Sequence, residues 1–277
     1  MRLNFVKVNP AGNTTVIILD GLPRRLHPFV AARVMKATSL SAEQVGFLEA
    51  PTVRGAISRL QMMGGEFCGN AARGFAAWLV ERGYPGIKKQ QNDKVLEVPI
   101  EVSGHGGILR AHVELDEEGG YRFIKVPMPL PQATCREIYW GEGDGSLFLV
   151  RFEGIEHVVA WNITPKEETF RSICSIIEER EGQLPALGVM FFNEQTKTMV
   201  PVVSVREVGS VVWESSCASG TIALAEVYAH KKGRSIRGLE VKQPGGVLRV
   251  DADWDGILRR VFVSGDVRIE AEGCVYI

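Results

Sequence analysis

The fold is decided by two similar stretches of sequence, GGEFCGNAA at 64–72 and WESSCASGT at 213–221. Each stretch places a glutamate shortly before a cysteine, then small or polar residues, and then an apolar helical pattern, at 70–83 and 219–233 respectively. The two cysteines, Cys68 and Cys217, are separated by slightly more than half of the chain. This arrangement predicts a duplicated half, with the two helix N-termini brought to one cleft.

Both predicted helices are apolar on nearly every face over their first turns, and a helix of that kind is surrounded by protein. Most of the remaining chain is typical of short strands punctuated by Gly, Pro, Asn and Asp. We therefore expect an α+β fold of two similar domains, each a mainly antiparallel β-barrel around a central helix, with the active site between them. The clearest predicted strands are 3–8, 15–20, 56–62, 95–102, 108–115, 156–163, 187–192, 199–207, 239–243 and 247–253, with a closing cluster at 258–277.

The domain boundaries are predicted from the same pattern. The N-terminal domain is expected at 1–120, completed by strands at about 262–277, and the C-terminal domain at 121–261. The proline-rich segment 126–134 suits a crossing between the halves. Two amphipathic helices are also predicted, at 27–38 and at 164–180, the second with Thr164 as N-cap and Pro165 in the first helical position.

Composition excludes several classes of function. The chain of 277 residues has 32 Lys and Arg against 33 Asp and Glu, so no excess of positive charge is available to hold a nucleic-acid backbone. No apolar run approaches the roughly 18 residues that cross a bilayer. The first residues lack the basic-then-apolar layout of a signal peptide. We expect no nucleic-acid partner, no membrane partner and a cytoplasmic protein.

The cysteines and histidines show no metal-binding pattern. Five cysteines, an odd number with no close pair, provide neither a disulfide framework nor a CxxC motif. The five histidines have no metal-ligand spacing, and neither GxGxxG nor GxxxxGK[ST] marks a nucleotide site. The sequence therefore predicts no metal and no cofactor. Cys135, Cys174 and Cys274 are interpreted as small buried hydrophobic residues.

Cys68 and Cys217 are different because each precedes a helix. A helix N-terminus carries partial positive charge and unpaired N–H groups, which lower a thiol pKa and bind anions such as a carboxylate. Two thiols facing each other over such a site would suit inversion at the α-carbon of an amino acid. One thiolate would remove the α-proton while the opposite thiol protonates the other face.

These stretches resemble the two cysteine signatures of the diaminopimelate-epimerase-like family of cofactor-independent amino-acid racemases and epimerases, and the resemblance runs nearly end to end. It implies that His157 in GIEHVVAW assists Cys68 and that Glu207 in VREVG assists Cys217. The substrate-binding residues that it implies are Asn13, Gln44, Gly69, Asn70, Ala218 and Ser219. The fold, a small amino-acid substrate and a homodimer are implied in the same way.

Three departures from the diaminopimelate epimerases predict the substrate. Ile155 and Met190 stand where those enzymes have asparagines, and Val208 stands where they have an arginine. The pocket for the substrate side chain is therefore apolar at its far end, where a second charged amino-acid group would lose hydration without compensation. We expect a substrate such as histidine, as in the histidine racemases of staphylopine-type metallophore biosynthesis.

Three alternatives remain open at this point. The chain could be a diaminopimelate epimerase with a rebuilt distal site. It could be an isomerase of the phenazine-biosynthesis type, although such enzymes do not use a cysteine pair. From a different class of protein, it could be a non-catalytic amino-acid-binding module.

Overall fold

The structure, a computed structural model, describes residues 1–90, 94–117, 120–141, 145–206 and 209–277. It divides into two compact units. Unit 1 comprises Met1–Pro127 and Ser264–Ile277, and unit 2 comprises Met128–Val263. The chain therefore leaves unit 1, builds unit 2, and returns to complete unit 1 with its last residues.

The regular elements are numbered along the chain. The helices are α1 (His27–Val34), α2 (Gly69–Glu81), α3 (Glu167–Glu181) and α4 (Ala218–Lys232), with a short 3-10 helix at Arg24–Leu26. The strands of unit 1 are β1 (Arg2–Asn9), β2 (Thr15–Ile18), β3 (Gln44–Glu49), β4 (Ser58–Met62), β5 (Lys88–Gln90), β6 (Val95–Val102), β7 (Leu109–Leu115), β8 (Tyr121–Pro127) and β18 (Arg268–Tyr276). The strands that begin in unit 2 are β9 (Arg136–Ile138), β10 (Ser146–Arg151), β11 (Glu156–Trp161), β12 (Ala186–Asn193), β13 (Thr198–Val205), β14 (Ser210–Trp213), β15 (Ile236–Gln243), β16 (Gly246–Trp254) and β17 (Leu258–Gly265).

Unit 1 is a mainly antiparallel sheet with two parallel crossovers. The strand β1 pairs antiparallel with both β18 and β2, and β3 pairs antiparallel with β4. Antiparallel pairing also joins β6 to β5 and β7, and β7 to β8. The parallel pairs are β2 with β3, connected through α1, and β4 with β6, connected through α2.

The helix α2 is enclosed by this sheet. It packs against β1, β2, β6, β7, β8 and β18, so strands from both ends of the sheet contact the same helix. Eleven of its thirteen residues are buried, as the apolar sequence predicted. The glycine at position 74 permits the close approach, because a Cβ there would lie 2.4 Å from Cγ2 of Val8.

Unit 2 repeats the same plan. The antiparallel pairs are β9 with β10, β10 with β11, β12 with β13, β13 with β14, and β15 with β16. The two parallel pairs are β11 with β12, connected through α3, and β13 with β15, connected through α4. In each unit, therefore, an outer helix joins the first parallel pair and the buried helix joins the second.

The sheet of unit 2 lies between α3 and α4, and this determines which residues reach the buried helix. Side chains alternate between the two faces of a strand. Val158 and Ala160 of β11, with Leu187 and Val189 of β12, pack in the cluster formed with α3. The alternate residues of the same strands, including His157, point to the opposite face, which α4 covers.

Two expectations about local structure were wrong. Helix α3 begins after Lys166 as N-cap, not after Thr164, so Pro165 precedes the helix and occupies no helical position. Helix α1 ends at Val34, because the following residues form a turn in which Leu40 N–H donates to the Val34 carbonyl at 3.2 Å.

None of the helices in the described part of the chain is long and apolar enough to cross a membrane. The same residues contain no group of three or more His, Cys, Asp or Glu side chains arranged to hold a metal ion.

The packing of α2 on β1 predicts an unusual response to mutation. An alanine in a helix interior is normally more stable than glycine by about 0.5–1 kcal/mol. We expect Gly74→Ala to lower the free energy of unfolding by about 1–3 kcal/mol, because the new Cβ would collide with Val8. In a Val8→Ala background the same change should be neutral or stabilising. Urea unfolding of the four proteins in this cycle measures both effects, and equal destabilisation in the two backgrounds would contradict the assigned contact.

Candidate active site

Cys68 is the N-cap of the enclosed helix in unit 1. Its backbone is extended, with φ −128° and ψ 109°, and its sulfur accepts the Ala71 N–H at 3.4 Å. The loop that delivers it is fixed by Ser103, whose hydroxyl donates to the Glu66 carbonyl at 2.8 Å and accepts the Met62 N–H at 2.9 Å. The thiol therefore lies on the axis of α2, at the positive end of the helix.

Cys217 is the N-cap of the enclosed helix in unit 2, in almost the same conformation. Its φ is −129° and its ψ is 113°, and its sulfur accepts the Gly220 N–H at 3.4 Å. Sulfur at an N-cap replaces the oxygen that Ser, Thr, Asp or Asn normally supplies to the third helical N–H. The first two helical residues are Gly69 and Asn70 in α2 and Ala218 and Ser219 in α4. The N–H groups at a helix start point along the helix axis, away from the helix. Each helix start therefore combines a thiol with N–H donors that suit an anion.

His157 reaches the start of α4 from the neighbouring sheet. Its Nε2 lies 3.0 Å from the Ser219 hydroxyl, and Ser219 in turn lies 3.5 Å from the Cys217 sulfur. The ring is fully buried, and burial lowers its pKa to about 4. His157 is therefore neutral near pH 7, and a neutral imidazole can both accept and donate a proton.

A glycine makes room for this histidine. Gly188 of β12 is the register partner of His157, and a Cβ on it would lie 2.2 Å from the imidazole Nδ1. Met190, two residues further on the same face, lies over the first turn of α4, where a Cβ on Gly220 would meet its sulfur at 2.1 Å. Met190 is completely buried, so it presents an apolar surface at the helix start.

Asn13 and Gln44 come together at the edge of unit 1. Asn13 follows a turn in which Ala11 and Gly12 have positive φ, and its amide donates to Glu43 at 2.8 Å. Gln44 begins β3 in register with Thr15, just after Asn13. The side-chain oxygens of Asn13 and Gln44 are buried without a hydrogen-bond partner. This corner therefore offers acceptors for a donor such as an ammonium group.

Asn70 and Arg73 lie within the first turns of α2. Arg73 is completely buried, and its guanidinium donates to the Asn70 side-chain oxygen at 2.7 Å and to the Asp266 carbonyl at 3.4 Å. Its Nε has no partner. The helix cap does not use this cation, because Cys68 caps the helix.

Gln243 is a residue of the site that the sequence did not reveal. Its side-chain oxygen accepts the Cys217 N–H at 2.8 Å, and its amide donates to the Thr221 hydroxyl at 2.9 Å. That hydroxyl donates to the Cys217 carbonyl at 2.7 Å. The three residues therefore fix the backbone of the N-cap on both sides. A glutamine late in a strand carries no sequence signal for this role, because the contact depends on the pairing of β13 with β15.

Glu214 is a second residue whose effect was not foreseen, since its position before the helix suggested only a favourable dipole interaction. Burial and the negative charge of the nearby Glu214 carboxylate raise the pKa of the Cys217 thiol well above its usual range. The expectation that the helix N-terminus lowers this pKa is therefore wrong for Cys217 in the substrate-free protein. The reason is that burial and a neighbouring negative charge outweigh the hydrogen bonds from Ser219 and Gly220.

The structure thus assembles most of the predicted residues in two groups. Cys68, Gly69 and Asn70 lie at the start of α2, in the same unit as the corner formed by Asn13 and Gln44. Cys217, Ala218, Ser219 and His157 lie together in unit 2. Glu207 and Val208 lie outside the described residues.

Comparison with known proteins shows the family of the chain. The sequence profile of the family described as "Histidine racemase CntK N-terminal domain" matches residues 2–276. The chain belongs to this family.

Two curated relatives and one solved structure are similar to this chain. A histidine racemase of Fusobacterium nucleatum is 39% identical over 99% of this chain and 97% of its own length. A diaminopimelate epimerase of Xanthomonas euvesicatoria is 28% identical over 95% of this chain and 93% of its own length. The structure of a probable proline racemase from Agrobacterium radiobacter has a TM-score of 0.69 and covers 99% of this chain and 92% of its own, although only 12% of residues are identical. Members of the family are isomerases that act on amino acids, and so is this chain. The two-domain α+β fold is confirmed.

Burial of His157 predicts how stability depends on pH in this racemase-family member. Its pKa of about 4 in the folded protein lies below the value of about 6.5 expected when unfolded. The unfolded state therefore binds more protons between these values, and stability is lost as the pH falls from 6.5 to 4, by about 3 kcal/mol from this group. Urea unfolding should show that His157→Gln lacks this part of the loss. An imidazole resonance of His157 that titrates near pH 6.5 in the folded protein would contradict the prediction.

Proposed function

We propose that the protein is a pyridoxal-independent histidine racemase that uses Cys68 and Cys217 as its two acid–base groups. The observation that carries the proposal is the matched geometry of the two caps. Each sulfur sits at the N-terminus of an enclosed helix, in nearly identical backbone conformations, accepting the third helical N–H at the same distance. A structural cysteine needs neither this position nor a duplicate of it.

The reaction transfers two protons and needs no redox partner. A thiolate on one side takes the α-proton and becomes a thiol, leaving a carbanion whose charge spreads into the substrate carboxylate. The thiol on the other side donates its proton to the opposite face of the α-carbon and becomes a thiolate. The substrate leaves as its mirror image, and the enzyme has exchanged the protonation states of its two cysteines.

The helix N-termini stabilise the charge that develops in this reaction. We propose that N–H groups of Gly69 and Asn70, and of Ala218 and Ser219, receive the substrate carboxylate. These donors are fixed before substrate arrives, which is the arrangement that stabilises a developing anion most effectively. Asn13 and Gln44, with their buried unpartnered oxygens, are proposed to receive the substrate ammonium group.

We propose that neighbouring side chains hold the protons of the two thiols in position. His157 reaches Cys217 through the Ser219 hydroxyl, with distances of 3.0 Å and 3.5 Å for the two steps. The negative charge of Glu214 acts on the same thiol and favours its protonated form. Glu207 remains a proposed partner of Cys217, and assistance of Cys68 by His157 remains a proposal from the family resemblance.

Histidine is proposed as the substrate for two reasons. The curated relative that shares 39% of its residues with this chain is a histidine racemase. Met190 is completely buried against the start of α4, where an asparagine would be needed to bind a polar distal group. A neutral imidazole tolerates an apolar surface, whereas a second amino-acid group would lose hydration there.

The wider setting follows from the same resemblance. We propose that the D-histidine product serves metallophore biosynthesis, that the protein works in the cytoplasm, and that it is a homodimer. All five cysteines are free, which suits a reducing compartment and a mechanism that depends on thiols.

Replacement of either cysteine tests the two-base mechanism. We expect Cys68→Ala and Cys217→Ala each to abolish racemisation, and the Cys→Ser variants to lose most of it, because a hydroxyl is a much weaker acid than a thiol. A single variant should still eliminate HX from a β-halo amino acid that presents its α-proton to the remaining base. Cys174→Ala, on the outer helix α3, is the matched control and should racemise normally. The mechanism fails if either alanine variant at position 68 or 217 keeps near wild-type activity.

A panel of amino acids tests the substrate. We expect exchange of the α-proton in D₂O with L-histidine and D-histidine, and none with LL-diaminopimelate. Exchange is measured by proton NMR of the substrate and by chiral chromatography of the product. Exchange with diaminopimelate but not histidine would replace the substrate and leave the mechanism intact. Binding without exchange of any amino acid would instead indicate a binding protein.

A further inference from the structure

The two caps have the same geometry but opposite electrostatic surroundings. The residue three positions before Cys68 is Gly65, whereas the residue three positions before Cys217 is Glu214. Five residues after the cap, Arg73 follows Cys68 whereas Ile222 follows Cys217. Both Arg73 and Ile222 are completely buried. The Cys68 half therefore has a buried cation where the Cys217 half has an apolar side chain. Each half also has a glutamate before its cysteine, Glu66 two residues before Cys68 and Glu214 three residues before Cys217.

Arg73 keeps its charge inside the protein. Burial lowers its pKa to about 10, which still leaves it protonated near pH 7. Its hydrogen bonds go to an amide oxygen of Asn70 and a backbone carbonyl of Asp266. Both acceptors are neutral. Two groups favour the charged guanidinium when they are ionised, the Cys68 thiol and the carboxylate of Asp266, an exposed residue.

Burying a guanidinium is costly unless a negative charge compensates it. The attraction is mutual: if a thiolate at Cys68 stabilises the buried cation, the cation stabilises the thiolate by the same free energy. Two other titratable side chains lie near this loop. The Glu66 carboxylate is folded back against Gly64, and His105, which packs against Phe67, is kept neutral by burial.

Around Cys217 the charges act in the opposite direction. Glu214 lies three residues before Cys217, and the negative charge of a nearby carboxylate favours the protonated form of a thiol. His157, which reaches the sulfur through Ser219, is neutral, and Gln243 carries no charge. Cys217 is also more buried than Cys68, and burial disfavours a thiolate.

We propose that Arg73 is the positioning residue that holds the negative charge of the resting enzyme on Cys68, so that the substrate-free protein carries a thiolate at Cys68 and a thiol at Cys217. This inference rests on the proposed two-cysteine mechanism, and it assigns Cys68 as the base and Cys217 as the acid of the resting state. After one turnover the charge lies on Cys217. The pair returns to the resting state by proton exchange with solvent or by converting a molecule of the opposite enantiomer.

Titration of each thiol by itself tests the asymmetry without any substrate. Thiolate absorbance at 240 nm is measured against pH in Cys217→Ala, which reports Cys68, and in Cys68→Ala, which reports Cys217. The double variant provides the background of the other three cysteines. We expect Cys68 to titrate at least about one pH unit below Cys217. Equal midpoints, or a lower midpoint for Cys217, would overturn the proposal.

Substitution of Arg73 tests its role. In the Cys217→Ala background, Arg73→Met should raise the midpoint of Cys68 by about 1–3 pH units, and Arg73→Lys should restore much of the shift because it keeps a cation. The matched control is Ile222→Met, at the equivalent position of α4, which should leave the midpoint of Cys217 unchanged in the Cys68→Ala background. A folded Arg73→Met variant with an unchanged Cys68 midpoint would show that the arginine is only structural.

A second substitution keeps the test informative if the arginine variants do not fold. In the Cys68→Ala background, Glu214→Gln should lower the midpoint of Cys217, and an unchanged midpoint would contradict the assigned asymmetry. Racemisation by the cysteine variants is measured separately. Activity in either alanine variant would refute the proposed function, whereas inactive variants with equal midpoints would refute this inference alone.

Discussion

The enclosure of a helix on all sides is the constraint on which the rest of the structure depends. An enclosed helix cannot satisfy its first N–H groups with water along its flanks, so they must be satisfied at the end where the chain enters. In both units that end is a cysteine cap, with sulfur accepting the third N–H at 3.4 Å. The same feature that completes the helix therefore places a thiol on the positive pole. In each unit one cysteine both caps the enclosed helix and provides a thiol.

The repeated plan of the two units leaves room for different chemistry in each. The order of crossovers is the same, and both caps adopt the same backbone conformation. The residues around them have diverged, because only the cap and the close approach of strands are required for packing. Gly74 and Gly220 illustrate this requirement, since each allows a neighbouring side chain, Val8 or Met190, to touch the helix. The charges of Arg73 and Glu214 make the surroundings of the two thiols different.

Much of the fold could be predicted from the sequence because the strongest signals are local. The helices at 70–83 and 219–233 are apolar on every face, and the structure has buried helices at Gly69–Glu81 and Ala218–Lys232. The start of α3 was predicted incorrectly, because Thr164 and Pro165 form a good local start signal that the chain uses before the helix rather than in it. The strand β3, Gln44–Glu49, was not predicted as a strand, since its short pattern depends on pairing with β2 and β4.

The candidate site was less predictable than the fold, for a reason that Gln243 and Glu214 make clear. The resemblance to a known family identified residues that lie in its motifs, including His157 and Ser219, which the structure brings within 3.0 Å. Gln243 reaches Cys217 only because β15 pairs with β13, a contact between segments far apart in sequence. Glu214 was recognised as a residue before a helix, but its effect on the thiol depends on burial, which sequence does not report.

Several polar atoms of the candidate site are buried without partners. Whether such an atom is a donor or an acceptor indicates which kind of ligand group could bind to it. A buried polar atom without a hydrogen bond is costly, so such atoms are rare unless a ligand completes them. The side-chain oxygens of Asn13 and Gln44 are acceptors, which suit a donor such as an ammonium group. The unpartnered Nδ1 of His157 lies against Gly188, so close that a Cβ on this glycine would collide with it. The protein therefore tolerates two kinds of unsatisfied group. The oxygens of Asn13 and Gln44 can accept hydrogen bonds from a ligand. The Nδ1 atom of His157 is unpaired because the neutral imidazole is buried beside Ser219.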